Sequence, residues 1–382
     1  MGSLTRKAAI VGIGESDTGS LMGMSPNEVM AQVSKRALDD AGLTKDDIDG
    51  FCTTGSILEV GEYLQIMPRF CDSTQIGGSS FEAHVHHATA AIAAGICETV
   101  LVCMAGTGPS DRKLKLPRGG DRGDPRSASA SFVTPYGVGG PVNHYSMAAT
   151  RHMHDYGTTS QQLAEIAVAT RKWASLNPNA TMRDPITIDD VINSPMISSP
   201  LHLLDCCLVT NAGGAVIVTS AERAKSLKKP PVWILGCGEY FTHNNIASMP
   251  DITVTPAKHS GETAFKMADL KPEDIDVAVL YDSFSITTLL QLEDLGFCKK
   301  GEGGPFVEGQ RTAPGGAFPL NTNGGGLSYT HPGMYGIFIL IEVARQLRGE
   351  CGERQVPGAE IGIANGVGGL LSSAATIILG RD

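Results

Sequence analysis

The chain of 382 residues has 42% hydrophobic and 18% charged residues and a formal net charge of -10, so it is long enough to bury a large core, and disorder is excluded. No block of Lys and Arg is denser than RKLKLPR at 112–118, which excludes the electrostatic footprint of a nucleic-acid binder. Apolar runs such as Ile92–Met104 are broken by Gly95, Cys97 and Glu98 and fall short of a membrane span.

In chain order, KAAIVGIGESD at 7–17 reads as a buried strand, and a helix starts after Ser25. Ser25 is its N-cap, Pro26 takes the first helical position, Glu28 closes a capping box, and Gly42 ends it. A polar turn and a short strand follow in TKDDIDGFCTTGS, which completes a strand–helix–strand unit. The run from Gly106 to Pro141 is rich in Gly, Pro, Ser and Arg without periodicity, a pattern expected of a lid, binding loop or assembly element. Beyond it, SQQLAEIAVATRKWASLNPNA reads as an amphipathic helix with Leu163, Ile166, Ala167 and Trp173 on its apolar face.

The second half echoes the first. ADLKPEDID at 268–276 repeats AGLTKDDID at 41–49, and LRGECGERQVPGAEIGIANG at 347–366 follows the pattern of AIAAGICETVLVCMAG at 91–106. Two echoes in the same order imply related α/β halves: residues 1–225, with a loop insertion over about 106–200, and residues 226–382. A pair of similar sheets packed through shared helices is expected, with the site between the halves. Nine cysteines without a CxxC pair, and no secretory leader before the first strand, lead to an expectation of free thiols in a reducing cytoplasm.

Five segments carry a family resemblance: DIDG near the start, PITIDDVINSPMISSPLHLLDCCLVTNAGGAVIV at 185–218, YDSF at 281–284, NTNGGGLSYTHPG at 321–333 and ANGVGG at 364–369. Together they resemble the thiolase superfamily, in its sterol-carrier-protein thiolase and lipid-transfer-like branch, over almost the whole chain. The resemblance implies a duplicated fold layered α/β/α/β/α. Thiolases place a nucleophilic cysteine in a C-x-S-G turn, which falls here on GGSSF at 77–81, with Gly78 or Ser79 at the cysteine position. Their second cysteine falls on Asn365. Without a thiolate to attack a thioester, ordinary thiolysis and Claisen condensation are disfavoured.

What the resemblance leaves is His331 at the position of the thiolase G-H-P histidine and Tyr281 at the asparagine of N-E-A-F. Tyr329 and Tyr335 flank His331, and Tyr329 is the preferred third catalytic group. Backbone N–H groups of Ser79 and Ser80 are expected at an oxyanion hole, with Tyr335, Asn365 and Gly366 as further substrate contacts. His84, His86 and His87 lack the companions of a metal site, so no metal is expected, and Gly12 and Gly14 do not complete a dinucleotide fingerprint. No cofactor is implied beyond coenzyme A carried by the substrate.

The function this implies is retro-aldol cleavage of a β-hydroxyacyl-CoA, as in cysteine-less, tyrosine-bearing aldolases of steroid side-chain degradation. An acyltransferase and a non-catalytic acyl-CoA or lipid-binding subunit stand as alternatives. A homodimer is expected through the strand of ETVLVCMAG. Branch members also suggest a small OB-fold, zinc-ribbon partner that helps hold coenzyme A; without it, the grip falls to Arg112, Lys113, Arg118 and their loop.

Overall fold

The computed structural model describes residues 4–17, 21, 23–113, 130–131 and 133–382. Arg118 and most of the long loop lie outside the described residues; Arg112 and Lys113 end a short helix, Gly108–Lys113, and are exposed.

Eleven strands are present among the described residues: β1 (Ala8–Glu15), β2 (Gly50–Cys52), β3 (Phe70–Asp72), β4 (Thr99–Gly106), β5 (Met196–Ser198), β6 (Leu201–His202), β7 (Ala212–Ser220), β8 (Val232–Phe241), β9 (Val277–Leu280), β10 (Ile361–Gly368) and β11 (Ser373–Gly380). The described helices of eight or more residues are α1 (Pro26–Ala41), α2 (Ile57–Leu64), α3 (Ser80–Ala93), α4 (Pro141–Tyr156), α5 (Ser160–Ser175), α6 (Ala257–Ala268), α7 (Ser285–Asp294) and α8 (Gly336–Leu347).

Nine strands form one sheet in the order β3-β2-β4-β7-β1-β8-β11-β10-β9. Each half repeats one plan. β1 pairs with β7, β7 with β4, and β4 lies parallel to β2; β8 pairs with β11, β11 with β10, and β10 lies parallel to β9. The expectation of two separate sheets needs amendment, because the halves join through Ala9–Trp233 and Ile10–Val232. The layers are as expected. α1 packs on β1, β7 and β4, α6 packs on β8 and β11, and α3 and α8 both contact strands of both halves.

Glycine explains how the outer helices approach so closely. A Cβ at Gly12 of β1 would lie 2.3 Å from the carbonyl oxygen of Ala37 in α1, and one at Gly236 of β8 would lie 2.1 Å from that of Ala264 in α6. The strands VGIGE and LGCGE thus use glycine in the same way, at equivalent places in the two halves. Local signals also act as read. Ser25 and Glu28 make the capping box, at 3.3 Å and 2.7 Å, and Gly42 closes α1 in the left-handed region at φ 73°. Leu163, Ile166, Ala167 and Trp173 are buried on α5.

One expectation is overturned. The strand of ETVLVCMAG is β4, hydrogen-bonded to β2 on one side and β7 on the other, so it has no edge to offer a second copy. Its run is apolar because both its faces are covered by the fold. The free edge of the first half is β3.

Candidate active site

Tyr281 follows directly on β9, at the carboxyl end of a parallel pair, the usual place for a site in such a sheet. Its N–H donates to the carbonyl of Asn365 on β10 (3.0 Å), and its carbonyl accepts from Gln291 of α7 (2.6 Å). The next residue, Asp282, is fully buried and gathers the N–H groups of Gly326 and Leu327 at 2.6 and 3.2 Å. Burial nevertheless pushes its pKa up to about 7. That grip shapes the glycine-rich turn, since a Cβ at Gly325 would lie 1.9 Å from the Asp282 carboxyl.

The turn leads through a single π-helical segment, Gly325–Tyr329, to His331. The His331 N–H donates to Thr210 Oγ1 at 2.8 Å, which ties it to the segment running from Cys206 into β7. These anchors bring His331 Nε2 to 2.9 Å from the Tyr281 hydroxyl, which also accepts the backbone N–H of Tyr335 at 3.2 Å. With one lone pair taken by that N–H, the phenol proton is free to point at the imidazole. Burial lowers the His331 pKa to about 4 and raises that of Tyr281 well above its ordinary value. Both groups are therefore neutral near pH 7, a phenol against an imidazole able to accept its proton.

The pair opens on a cavity of about 500 Å³. Its wall combines Gly77 and Gly78 before α3, Pro141, Val142 and Tyr145 of α4, Cys206 and Cys207, Ser283 and Phe284 after Tyr281, and Val367–Gly369 at the end of β10. Tyr145, Tyr281, Ser283 and His331 supply polar side chains to it, and among the described residues no Lys, Arg, Asp or Glu lines it. The chamber suits an uncharged, largely apolar body within the 300–1,000 Å³ or so typical of ligand pockets. The two cysteines are held as thiols: burial pushes Cys206 up to about 12 and Cys207 higher still.

Gly78 makes the Tyr281 position possible. A Cβ there would lie 2.2 Å from Tyr281 Cε2 and 2.4 Å from Cζ, so the aromatic ring fills the space a side chain at Gly78 would need.

The remaining sequence-derived candidates sort themselves by geometry. Tyr335 is the tyrosine that touches Tyr281, through its N–H and a ring-edge contact at 5.8 Å, while its hydroxyl donates to Asn323 at 2.7 Å. Tyr329, preferred from the sequence, donates its hydroxyl to Glu15 at 2.6 Å beside Arg345 and does not face the cavity. Ser79 and Ser80 are buried behind the wall. Ser79 Oγ meets Ser373 Oγ at 2.8 Å, and the Ser80 N–H is taken by the carbonyl of Gly77, so Gly77 and Gly78 face the cavity instead. Asn365 is held between Gln291 (2.7 Å) and Thr376 (2.6 Å), and Gly366 packs against Glu82; the cavity contacts come from Val367–Gly369. Tyr145, Cys206, Cys207 and Glu82 escaped sequence reading, although the doubled cysteine at 206–207 was a visible signal. His87 Nε2 lies 3.1 Å from Glu239, His86 meets the same carboxylate, and His87 also meets Asp72, so these histidines tie α3 to β8 and β3.

With this geometry in place, likeness to known proteins becomes informative. Residues 238–381 match the family described as thiolase C-terminal domain-like. A 17-hydroxy-3-oxo-4-pregnene-20-carboxyl-CoA lyase of Mycobacterium tuberculosis is 37% identical, covering 91% of this chain and 92% of the relative. The chain belongs to the thiolase superfamily. It falls in the sterol-carrier-protein-thiolase-like branch of that superfamily that contains aldolases. An acetyl-CoA acetyltransferase of Methanothermobacter thermautotrophicus is 34% identical over 98% of this chain and 100% of its own. Among solved structures, one described as an Ltp2-ChsH2(DUF35) aldolase superposes with a TM-score of 0.90 at 32% identity, covering 100% of this chain and 99% of that one. In the turn before α3 that includes Gly78, the aromatic ring of Tyr281 lies over the glycine.

Proposed function

We propose that this protein is a carbon–carbon lyase that cleaves a β-hydroxyacyl-CoA by a retro-aldol reaction, with a steroid side chain or related bulky lipid as the acyl group. The observation that carries the reading is the hydrogen-bonded Tyr281–His331 pair, set over Gly78 and open to an uncharged chamber. Loss of the β-hydroxyl proton to this pair lets the Cβ–O bond become a carbonyl. The Cα–Cβ bond breaks, its electrons pass to Cα and delocalise into the thioester as an enolate, and a proton returns to Cα. The products are a ketone or aldehyde and a shortened acyl-CoA. No acyl-enzyme forms, which agrees with a wall whose only thiols are held protonated.

The likeness to an acetyl-CoA acetyltransferase keeps acyl transfer as a second reading. Incubation with a panel of β-hydroxyacyl-CoAs and mass analysis of products separates the two: lyase products without a trapped acyl-enzyme support cleavage, and a covalent acyl adduct supports transfer. Tyr281→Phe is expected to fold normally and lower turnover by about 10²–10⁴-fold, the range for removal of an acid–base group. Unchanged turnover in Tyr281→Phe removes this residue from the chemistry. Full activity after changing Tyr281 and His331 together favours a binding subunit.

The reading extends to partners. Among the described residues no cation lines the cavity wall, and a small OB-fold, zinc-ribbon subunit would supply a grip for the phosphates of coenzyme A. The similar structure that contains ChsH2(DUF35) supports a partner of this kind. We propose self-association through the β3 edge, a reading supported by the exposure of Leu58, Tyr63 and Met67 on the neighbouring segment.

A further inference from the structure

Glu82, in the first turn of α3, is completely buried, and neither carboxyl oxygen has a hydrogen-bond partner from another described residue. Burying a carboxyl without partners is expensive, and such a group persists where it has a task. Two glycines make room for it. A Cβ at Gly366 of β10 would lie 2.3 Å from Glu82 Oε2, and one at Gly336 would lie 2.6 Å from the same oxygen and 2.3 Å from the carbonyl oxygen of Gly78. Gly336 is the first residue of α8, and the residue before it, Tyr335, gives its N–H to the Tyr281 hydroxyl. The carboxyl and the phenol therefore share one helix N-terminus, with Gly78 packed against the phenol ring.

We propose that Glu82 is a positioning acid for Tyr281: the two groups lie against the same helix start, and the phenol carries negative charge in turnover only while Glu82 keeps its proton. The inference rests on the lyase reading for its link to turnover, though not for the coupling itself. One positive helix end in a buried site stabilises one anion, and a second nearby is opposed by like-charge repulsion. An ionised Glu82 raises the pKa of Tyr281 and so disfavours tyrosinate. Burial pushes the Glu82 pKa up to about 8, which keeps the acid form in place at neutral pH.

Other titratable groups on elements packed around α3 are accounted for. Asp72 of β3 and Glu239 of β8 pair with His87 and His86. Glu342 and Arg345 of α8 pair with Arg354 and with Glu15 of β1, respectively. Cys71 of β3 is exposed, and Cys103 of β4 and Cys237 of β8 are buried thiols with raised pKa values. His84, on the helix itself, is held neutral by burial. Tyr335 donates its hydroxyl to Asn323.

The test compares the pH profile of the whole chain with that of Glu82→Gln, which keeps the shape and cannot ionise. Wild-type kcat is expected to fall about tenfold between pH 7 and pH 9, following ionisation of Glu82 near about 8, while KM stays constant. In Glu82→Gln this fall is absent; the same fall in the variant overturns the proposal. A second readout needs no turnover. The folded group holds its proton to about 8 and the unfolded group releases it near 4.5, so wild-type stability must decline relative to Glu82→Gln as pH rises through that window. A constant difference in denaturant unfolding across the window rejects a protonated Glu82. If no β-hydroxyacyl-CoA is cleaved, the lyase reading fails by itself, and the coupling is read from the tyrosinate absorbance that Tyr281→Phe removes. A lower midpoint in Glu82→Gln than in wild type upholds it, and an equal midpoint overturns it.

Discussion

At Gly78 a single missing Cβ decides what chemistry the cavity can hold. The Tyr281 ring is held at one end by β9 and at the other by His331 and the Tyr335 N–H, so it cannot swing away from a new methyl group 2.2 Å off. Gly78→Ala is expected to cost about 1–3 kcal/mol, the range for overpacking a rigid site, and to lower turnover by displacing the phenol. Combining it with Tyr281→Ala should return only part of that stability, because the ring is then gone while the Val367 carbonyl oxygen still lies 2.5 Å from the new methyl group. Equal melting of Gly78→Ala and wild type would contradict the close approach. Tyr281 and His331 were legible from their motif positions. The choice between Tyr329 and Tyr335 was not, because the π-helical turn at Gly325–Tyr329 sends the Tyr329 hydroxyl toward Glu15. Glu82 was also illegible: in the sequence it looks like an acid placed to favour a helix start, and only its enclosure by Gly336 and Gly366 reveals a buried acid.

Among the elements, β1–α1 and β8–α6 are the same device used twice. In each, a strand glycine lets a helix backbone approach to a distance that a Cβ would violate, and the helix then covers the outer face of its half-sheet. Gly12→Ala and Gly236→Ala are each expected to destabilise by about 1–3 kcal/mol or more, because the obstacle is backbone carbonyl rather than a movable side chain. Urea unfolding of the two variants provides the comparison, and a loss in only one would break the equivalence of the halves. The ends of α1 were readable because capping is local: Ser25, Glu28 and Gly42 act within a turn of themselves. The role of β4 was misread for the opposite reason. An apolar run is the same signal in a strand covered by its own fold and in one covered by a second copy, and only the pairing with β2 and β7 separates them.

For the molecule as a whole, the β3 edge and a cavity that no Lys or Arg lines among the described residues lead to one expectation about assembly. Sedimentation of the purified chain is expected to give a species heavier than 40.1 kDa, and charged substitutions at Leu58 and Met67 should shift it toward monomer without unfolding it. Adding a DUF35-type subunit is then expected to raise acyl-CoA affinity. A monomer at micromolar concentration, or full affinity in the chain alone, would refute the corresponding half of this picture.

Repetition, cap residues, turn glycines and ordered motifs are properties of short stretches of chain, and from them the sequence by itself determined a duplicated α/β protein, the lack of cysteine in GGSSF and ANGVGG, and the Tyr281–His331 candidates. Tertiary structure alone decided which tyrosine supports that pair, that the half-sheets join at β1 and β8, and that Glu82 shares a helix start with the phenol. The reason is distance along the chain. The cavity gathers Gly78, Tyr145, Cys206, Tyr281, His331 and Gly368 from six separate segments. Which faces of those segments converge depends on packing contacts that no local pattern encodes.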